Sequence, residues 1–132
     1  MTAEENQSPR NLVNIITFNV RATKTVGDEG IIPWINIARA NEEILNLVDA
    51  NETVIKEQTV VISIDYPFEN RGTYWLTSDI GYTRAGLLIA IRDIFLELSK
   101  KQGINIDALD LVALDVYKTD SGMLEVTLDI DL

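Results

Sequence analysis

Four carboxylates near the end of the chain, Asp115, Glu125, Asp129 and Asp131, stand at spacings that can gather them on one surface. Leu124, Val126, Leu128, Ile130 and Leu132 alternate with Glu125, Thr127, Asp129 and Asp131. Such a period of two gives a strand with one apolar and one acidic face. Converging carboxylates can hold a hard cation on oxygen ligands or dock a basic protein surface. Asp115 and Asp129 are the candidate ligands of the metal reading, and otherwise no metal and no cofactor are expected. The plainer explanation is a solvated strand face whose acids deter edge-to-edge aggregation. Residues 103–132 hold seven acids and one lysine, so they carry 1 − 7 = −6 of the formal −10.

A second constellation lies at Asp79, Tyr82, Thr83 and Arg84, where a strand gives way to a helix. Free amides and the positive dipole end of a helix N-terminus, with Arg84 beside them, could hold a carboxylate or phosphate. Asp79 could then act as a base and Tyr82 as a hydrogen-bond donor. Helix capping by Thr83 explains the same residues without any ligand. Two motif readings fail on residue type. Gly-Tyr-Thr-Arg-Ala-Gly lacks the lysine and spacing of a phosphate loop, and a calcium loop with its glycine at Gly122 would need an acid at Tyr117.

Trp75 and Tyr117 are the aromatic candidates for an interface. Alternation puts Trp75 on the sheet face away from the helices, along with Ile15, Arg21, Val61, Leu111 and Tyr117. An uncovered apolar face of this kind usually marks an interaction site.

Composition narrows the chemistry. The chain has no histidine and no cysteine, which removes the common general base, the thiol nucleophile and the usual zinc and iron ligands. The lysines fall in loops or exposed positions, so a Ser–Lys mechanism is not expected. The eleven basic residues are scattered on an acidic chain, which argues against nucleic acid as a partner. The longest wholly apolar stretch, 87–91, is too short to span a bilayer. The polar start has no apolar leader region, so a cytoplasmic protein is the default expectation.

The elements that must position these residues follow from periodicity. Residues 1–10 are expected to be a flexible tail and 11–132 a single α+β domain. A strand is expected over 11–25, with Ile16, Phe18 and Val20 facing the core, then a turn at 27–30. Residues 33–49 read as a helix, with a strand over 31–37, hairpinned to the first, as the competing reading. A strand over 58–68 is expected to turn at Asn70-Arg71-Gly72, pairing Phe68 with Tyr74 and Tyr66 with Leu76. Thr83 caps a helix ending near Lys101, with Gly103 beyond it. Strands 109–118 and 124–132 follow, paired Val116–Val126, Leu114–Leu128 and Val112–Ile130.

The order β-α-β-β-α-β plus one more strand suggests a two-layer sandwich. That is an antiparallel sheet with two helices on one face, a split β-α-β of ferredoxin-like order with an extra C-terminal strand. The expected function is that of a non-catalytic interaction or assembly protein of inhibitor, immunity or structural type. It would be a homo-oligomer, dimer or higher, presenting an acidic surface to a basic protein partner. The alternative is a small histidine-free enzyme or ligand-binding domain with its site at 79–84.

Overall fold

The computed structural model of the protein describes residues 10–21, 30–65 and 72–131. It is a mixed α+β structure built on a six-stranded sheet. The main strands are β1 (Arg10–Thr17), β6 (Thr59–Ile64), β7 (Gly72–Thr77), β9 (Asp110–Thr119) and β10 (Leu124–Asp131). They lie in the order β1-β9-β10-β6-β7, and the short β4 (Ile35–Asn36) also pairs with β9. Four of the pairings along that order and its branch are antiparallel, but β10 and β6 run parallel. The expected all-antiparallel sheet is therefore corrected to a mixed one, and the ferredoxin-like order is not what the strands adopt.

β1 and β4 share one side of β9, with β1 along 113–119 and β4 along 110–111. Between them the chain makes β2 (Val20–Arg21) and β3 (Ile31–Ile32), which pair with each other. The helix expected over 33–49 forms only in its second half, as α1 (Ala40–Glu43) and one 3-10 turn (Ile44–Asn46). Burial explains the outcome. Ile35 and Ile37 are buried while Trp34 is exposed and Asn36 half-buried, a period of two rather than of 3.6. Asn36 fixes the strand from outside, its Nδ2 donating to the Asp107 carbonyl at 2.8 Å while the Ile37 amide donates to that of Leu109 at 3.0 Å.

The long helix α2 (Arg84–Gln102) follows the sequence closely. Thr83 Oγ1 accepts from the Gly86 amide, and Gly103 takes the left-handed conformation (φ 68°) that ends the helix. Its buried residues Leu87, Leu88, Ile91 and Phe95 join Ile16, Ile62, Leu114 and Val126 from the sheet in one core, which Ala40 of α1 also enters.

Two registers differ from expectation. Tyr74 pairs with Ile62 and Leu76 with Val60, not with Phe68 and Tyr66, an offset of 68 − 62 = 6 residues. The connection is thus longer than a three-residue turn, and part of it (66–71) lies outside the described residues. An even offset keeps every side chain on its expected face. In the last hairpin, Val116–Val126 and Leu114–Leu128 pair as expected, but Ile130 pairs with Leu111. The extra residue is Val112, a bulge that turns Leu111 from the outer face into the core, where it is fully buried. Of the expected tail 1–10 only Arg10 is described, and it begins β1; of the expected turn 27–30 only Gly30 is described, at φ 50°.

Candidate functional site

The two constellations read from the sequence sit in opposite circumstances. At the junction, β8 (Tyr82–Thr83) pairs antiparallel with β5 (Thr53–Ile55), opposing Thr83 to Thr53 and Tyr82 to Ile55. This pairing brings the 49–52 loop against the start of α2. The Arg84 amide donates to the Glu52 carbonyl at 2.9 Å, the Ala85 amide to that of Ala50 at 2.9 Å, and the Gly86 amide to Thr83 Oγ1 at 3.0 Å. The helix N-terminus, expected to offer amides to an anion, spends them on the protein itself.

The Arg84 side chain is spent in the same way. Its Nε donates to the Thr17 carbonyl at 2.9 Å, and Nη1 donates to the Asp49 carbonyl at 2.8 Å and to Glu52 Oε1 at 2.7 Å. With its side chain only 13% exposed, Arg84 ties the end of β1, the 49–52 loop and α2 together. Asp49 adopts φ 55° to present that carbonyl, a conformation that asparagine and aspartate tolerate better than most residues. Gly81 is buried at φ 80°, and a Cβ there would lie 2.4 Å from the Ile55 carbonyl oxygen. Tyr82 packs against the core, and burial raises its phenol above the ordinary value of 10.0. Asp79 stays exposed on a turn whose carbonyl accepts from Gln58 Nε2 at 3.2 Å.

Glu52, Asp49 and Thr17, the partners that define this joint, carry no local signal in the sequence. They lie 32, 35 and 67 residues from Arg84.

The outer face of the sheet is built differently. Register places side chains in rows that cross the strands. One row runs Trp75, Val61, Glu125, Tyr117, Leu12, and the next runs Thr73, Ser63, Thr127, Asp115, Ile15. Asp129 follows opposite Ala113, and Asp131 stands opposite Asp110 rather than opposite Leu111 as expected. Trp75 is 63% exposed and Ile15 52% exposed, so large apolar side chains stand in water beside the acids.

Ile15, Val61 and Tyr117 share this face with Trp75 as expected. Leu111 has left it for the core, and Arg21 lies in the separate β2–β3 pair. Asp115 is diagonal to both Glu125 and Asp129, about 7–8 Å away in such a ladder. Among the described residues, no group of three or more acids is gathered closely enough to hold a metal ion.

At one corner of this face lies an open depression of about 510 Å³. Trp75, Val61, Met123 and Glu125 line it, together with Asp120 on the 119–121 turn. Thr119 Oγ1 and Ser121 Oγ, also in its wall, lie 2.9 Å apart and hydrogen-bond to each other.

No family model, curated protein or solved structure matches the chain. Among the described residues, no helix is long and apolar enough to cross a membrane.

Proposed function

We propose that the protein is a non-catalytic interaction protein whose outer sheet face docks a basic protein partner. A single observation carries this reading. The face mixes exposed Trp75, Leu12 and Ile15 with the carboxylates Asp115, Glu125 and Asp129, and no basic residue stands in the two rows Trp75 to Leu12 and Thr73 to Ile15. Apolar area supplies binding energy, and one-signed charge selects the partner and speeds encounter. Inhibitor, immunity-type and structural roles all suit such a surface, as does a cytoplasmic setting for an acidic chain without cysteine.

Self-association belongs to the same proposal with a restriction. Stacking two copies face to face would set Asp115, Glu125 and Asp129 against the same acids of the second copy. A homo-oligomer is therefore expected to use the exposed Leu12, Val13 and Ile15 of the β1 edge instead of the acidic centre. The ligand-site alternative at Asp79, Tyr82, Thr83 and Arg84 is disfavoured because the donors it needs are already engaged.

The test is amide chemical-shift mapping with an amphipathic peptide that alternates valine with lysine and arginine. Shifts are expected on β6, β9 and β10 and to weaken with added salt. Shifts centred on residues 79–84, or none at all, would overturn the proposal.

A further inference from the structure

We infer that the β7 edge of the sheet is a self-pairing site, where β7 of a second copy adds antiparallel and joins two sheets into one. This rests on the self-association part of the reading above. It goes beyond that part by adding a hydrogen-bonded contact at the edge opposite β1.

The pairing with β6 fixes which backbone groups are available. Ser78 stands opposite Gln58, one step beyond the Thr59–Thr77 pair, and its amide donates to the Gln58 carbonyl at 2.8 Å. Bonded and unbonded pairs alternate along an antiparallel ladder, so Leu76, Tyr74 and Gly72 spend their backbone groups on β6. The amides and carbonyls of Thr73, Trp75 and Thr77 therefore point away from it. Among the described residues β7 pairs with β6 alone, and Thr73, Trp75 and Thr77 are all exposed. Tyr74 and Leu76 pack on the core side yet stay only half-buried.

The two edges of the sheet differ. On β1, the Ile15 amide donates to Asn14 Oδ1 at 2.8 Å and the Thr17 carbonyl accepts from Arg84 Nε at 2.9 Å. A register shift between Leu12 and Asn14 also interrupts its ladder. Such features blunt an edge against strand addition and leave β1 a contact made by side chains. Residues 72–77 carry no charge and no proline, and their register with β6 is unbroken.

Register names the occupant. A two-fold axis at Trp75 sets Trp75 opposite its own copy and Thr73 opposite Thr77 of the second copy, each with both backbone groups bonded. On the inner face Tyr74 then meets Leu76. Aromatic pairs and threonine pairs are favourable across strands, so β7 complements itself. Charge points the same way. Glu125 lies on β10, two strands from β7, so it stands roughly 24 Å from its counterpart, well beyond a Debye length of about 8 Å. The outer faces merge around the paired tryptophans, so the surface for a basic partner is doubled and not covered.

Two measurements on the full chain test this. Amide exchange is followed by NMR over a concentration series. Exchange at Thr73, Trp75 and Thr77 is expected to slow about tenfold from the monomeric to the dimeric end. Tyr74 and Leu76, bonded to β6 throughout, are expected not to change. Sedimentation then compares two double variants at these exposed positions. Thr73→Lys with Thr77→Lys sets like charges opposite one another and should weaken the dimer about tenfold. Thr73→Lys with Thr77→Glu sets opposite charges in the same places and should restore it.

A dimer weakened equally by both variants, or by neither, would overturn the inference, as would slowing that includes Tyr74 and Leu76 equally. If Leu12→Lys with Ile15→Lys separates the copies and the double-lysine β7 variant does not, the β7 site fails while self-association stands. A chain that stays monomeric and shows no slowing at 73–77 removes both.

Discussion

The α2 junction and the outer sheet face use the same kinds of residue for opposite ends. At the junction, Arg84 and Glu52 meet partners from other segments, Thr83 caps the helix it precedes, and the helix amides from Arg84 to Gly86 are all engaged. On the outer face, Asp115, Glu125 and Asp129 share one side of two central strands, beside the exposed Trp75 and Ile15. A charged group matched by acceptors on several segments serves the fold. A set of like charges placed side by side costs the fold something, and in the function we propose it serves contact with a partner. The difference between joint and surface therefore lies in how the charged groups are placed, and residue type alone does not reveal it.

The largest test of this contrast is at Arg84. Arg84→Met keeps much of the aliphatic stem but leaves the Thr17 and Asp49 carbonyls without their donor. Hydrogen bonds from a charged donor and the cost of stranded acceptors together come to about 2–4 kcal/mol. Glu52→Gln removes only the ion pair to a carboxylate that is 58% exposed, which is worth about 1 kcal/mol or less. Urea denaturation should rank the two in that order. Equal losses would mean that the joint is held by the ion pair and not by the carbonyls.

Most of the framework was legible because it rests on local patterns. The alternations in β6, β9 and β10 and the cap, stripe and terminal glycine of α2 each identify their element within a few residues. The register of the last hairpin was also legible near its turn, where Gly122 fixes the loop at φ 88°. Three features were not. Residues 31–37 suit both a helix and the competing strand reading, and the pairing of β4 with β9 decides for an extended Ile35–Asn36. The Val112 bulge is silent because Leu111 and Val112 are equally apolar, so either could face the core. The β6–β7 offset is silent because a shift by six preserves every face. That parity keeps Trp75 on its expected face, with Val61 as its cross-strand neighbour. At the candidate sites, residue types were visible but engagement was not, since the partners of Arg84 come from distant segments.

A smaller test addresses the outer face. Asp115 lies diagonal to Glu125 and Asp129, where like charges oppose one another. Asp115→Asn is expected to raise stability by a few tenths of a kcal/mol, up to about 0.5. The gain should shrink with added salt, because exposed charges are screened. The same substitution is expected to weaken a basic partner. Stability and binding would then move in opposite directions, as expected for an acid retained for contact. A clear loss of stability on Asp115→Asn would place this carboxylate with Arg84 among the joints.

The smallest effect concerns the two tyrosines that the core holds neutral. Burial raises the Tyr82 phenol above 10.0, and burial with the nearby Glu97 carboxylate does the same for Tyr74. In the unfolded chain both ionise near their ordinary value, while the folded chain still holds its protons. Above pH 10 the unfolded state thus binds fewer protons, and stability falls as pH rises through the raised values. Below pH 10 neither tyrosine contributes a slope. Tyr82→Phe should flatten the decline by removing the junction's share, and Tyr74→Phe should do so at the edge of the sheet. Urea midpoints measured from pH 9 to 11 check this, and a decline left unchanged by Tyr82→Phe would mean that its hydroxyl meets water freely and that the joint beside α2 is more open than its burial implies.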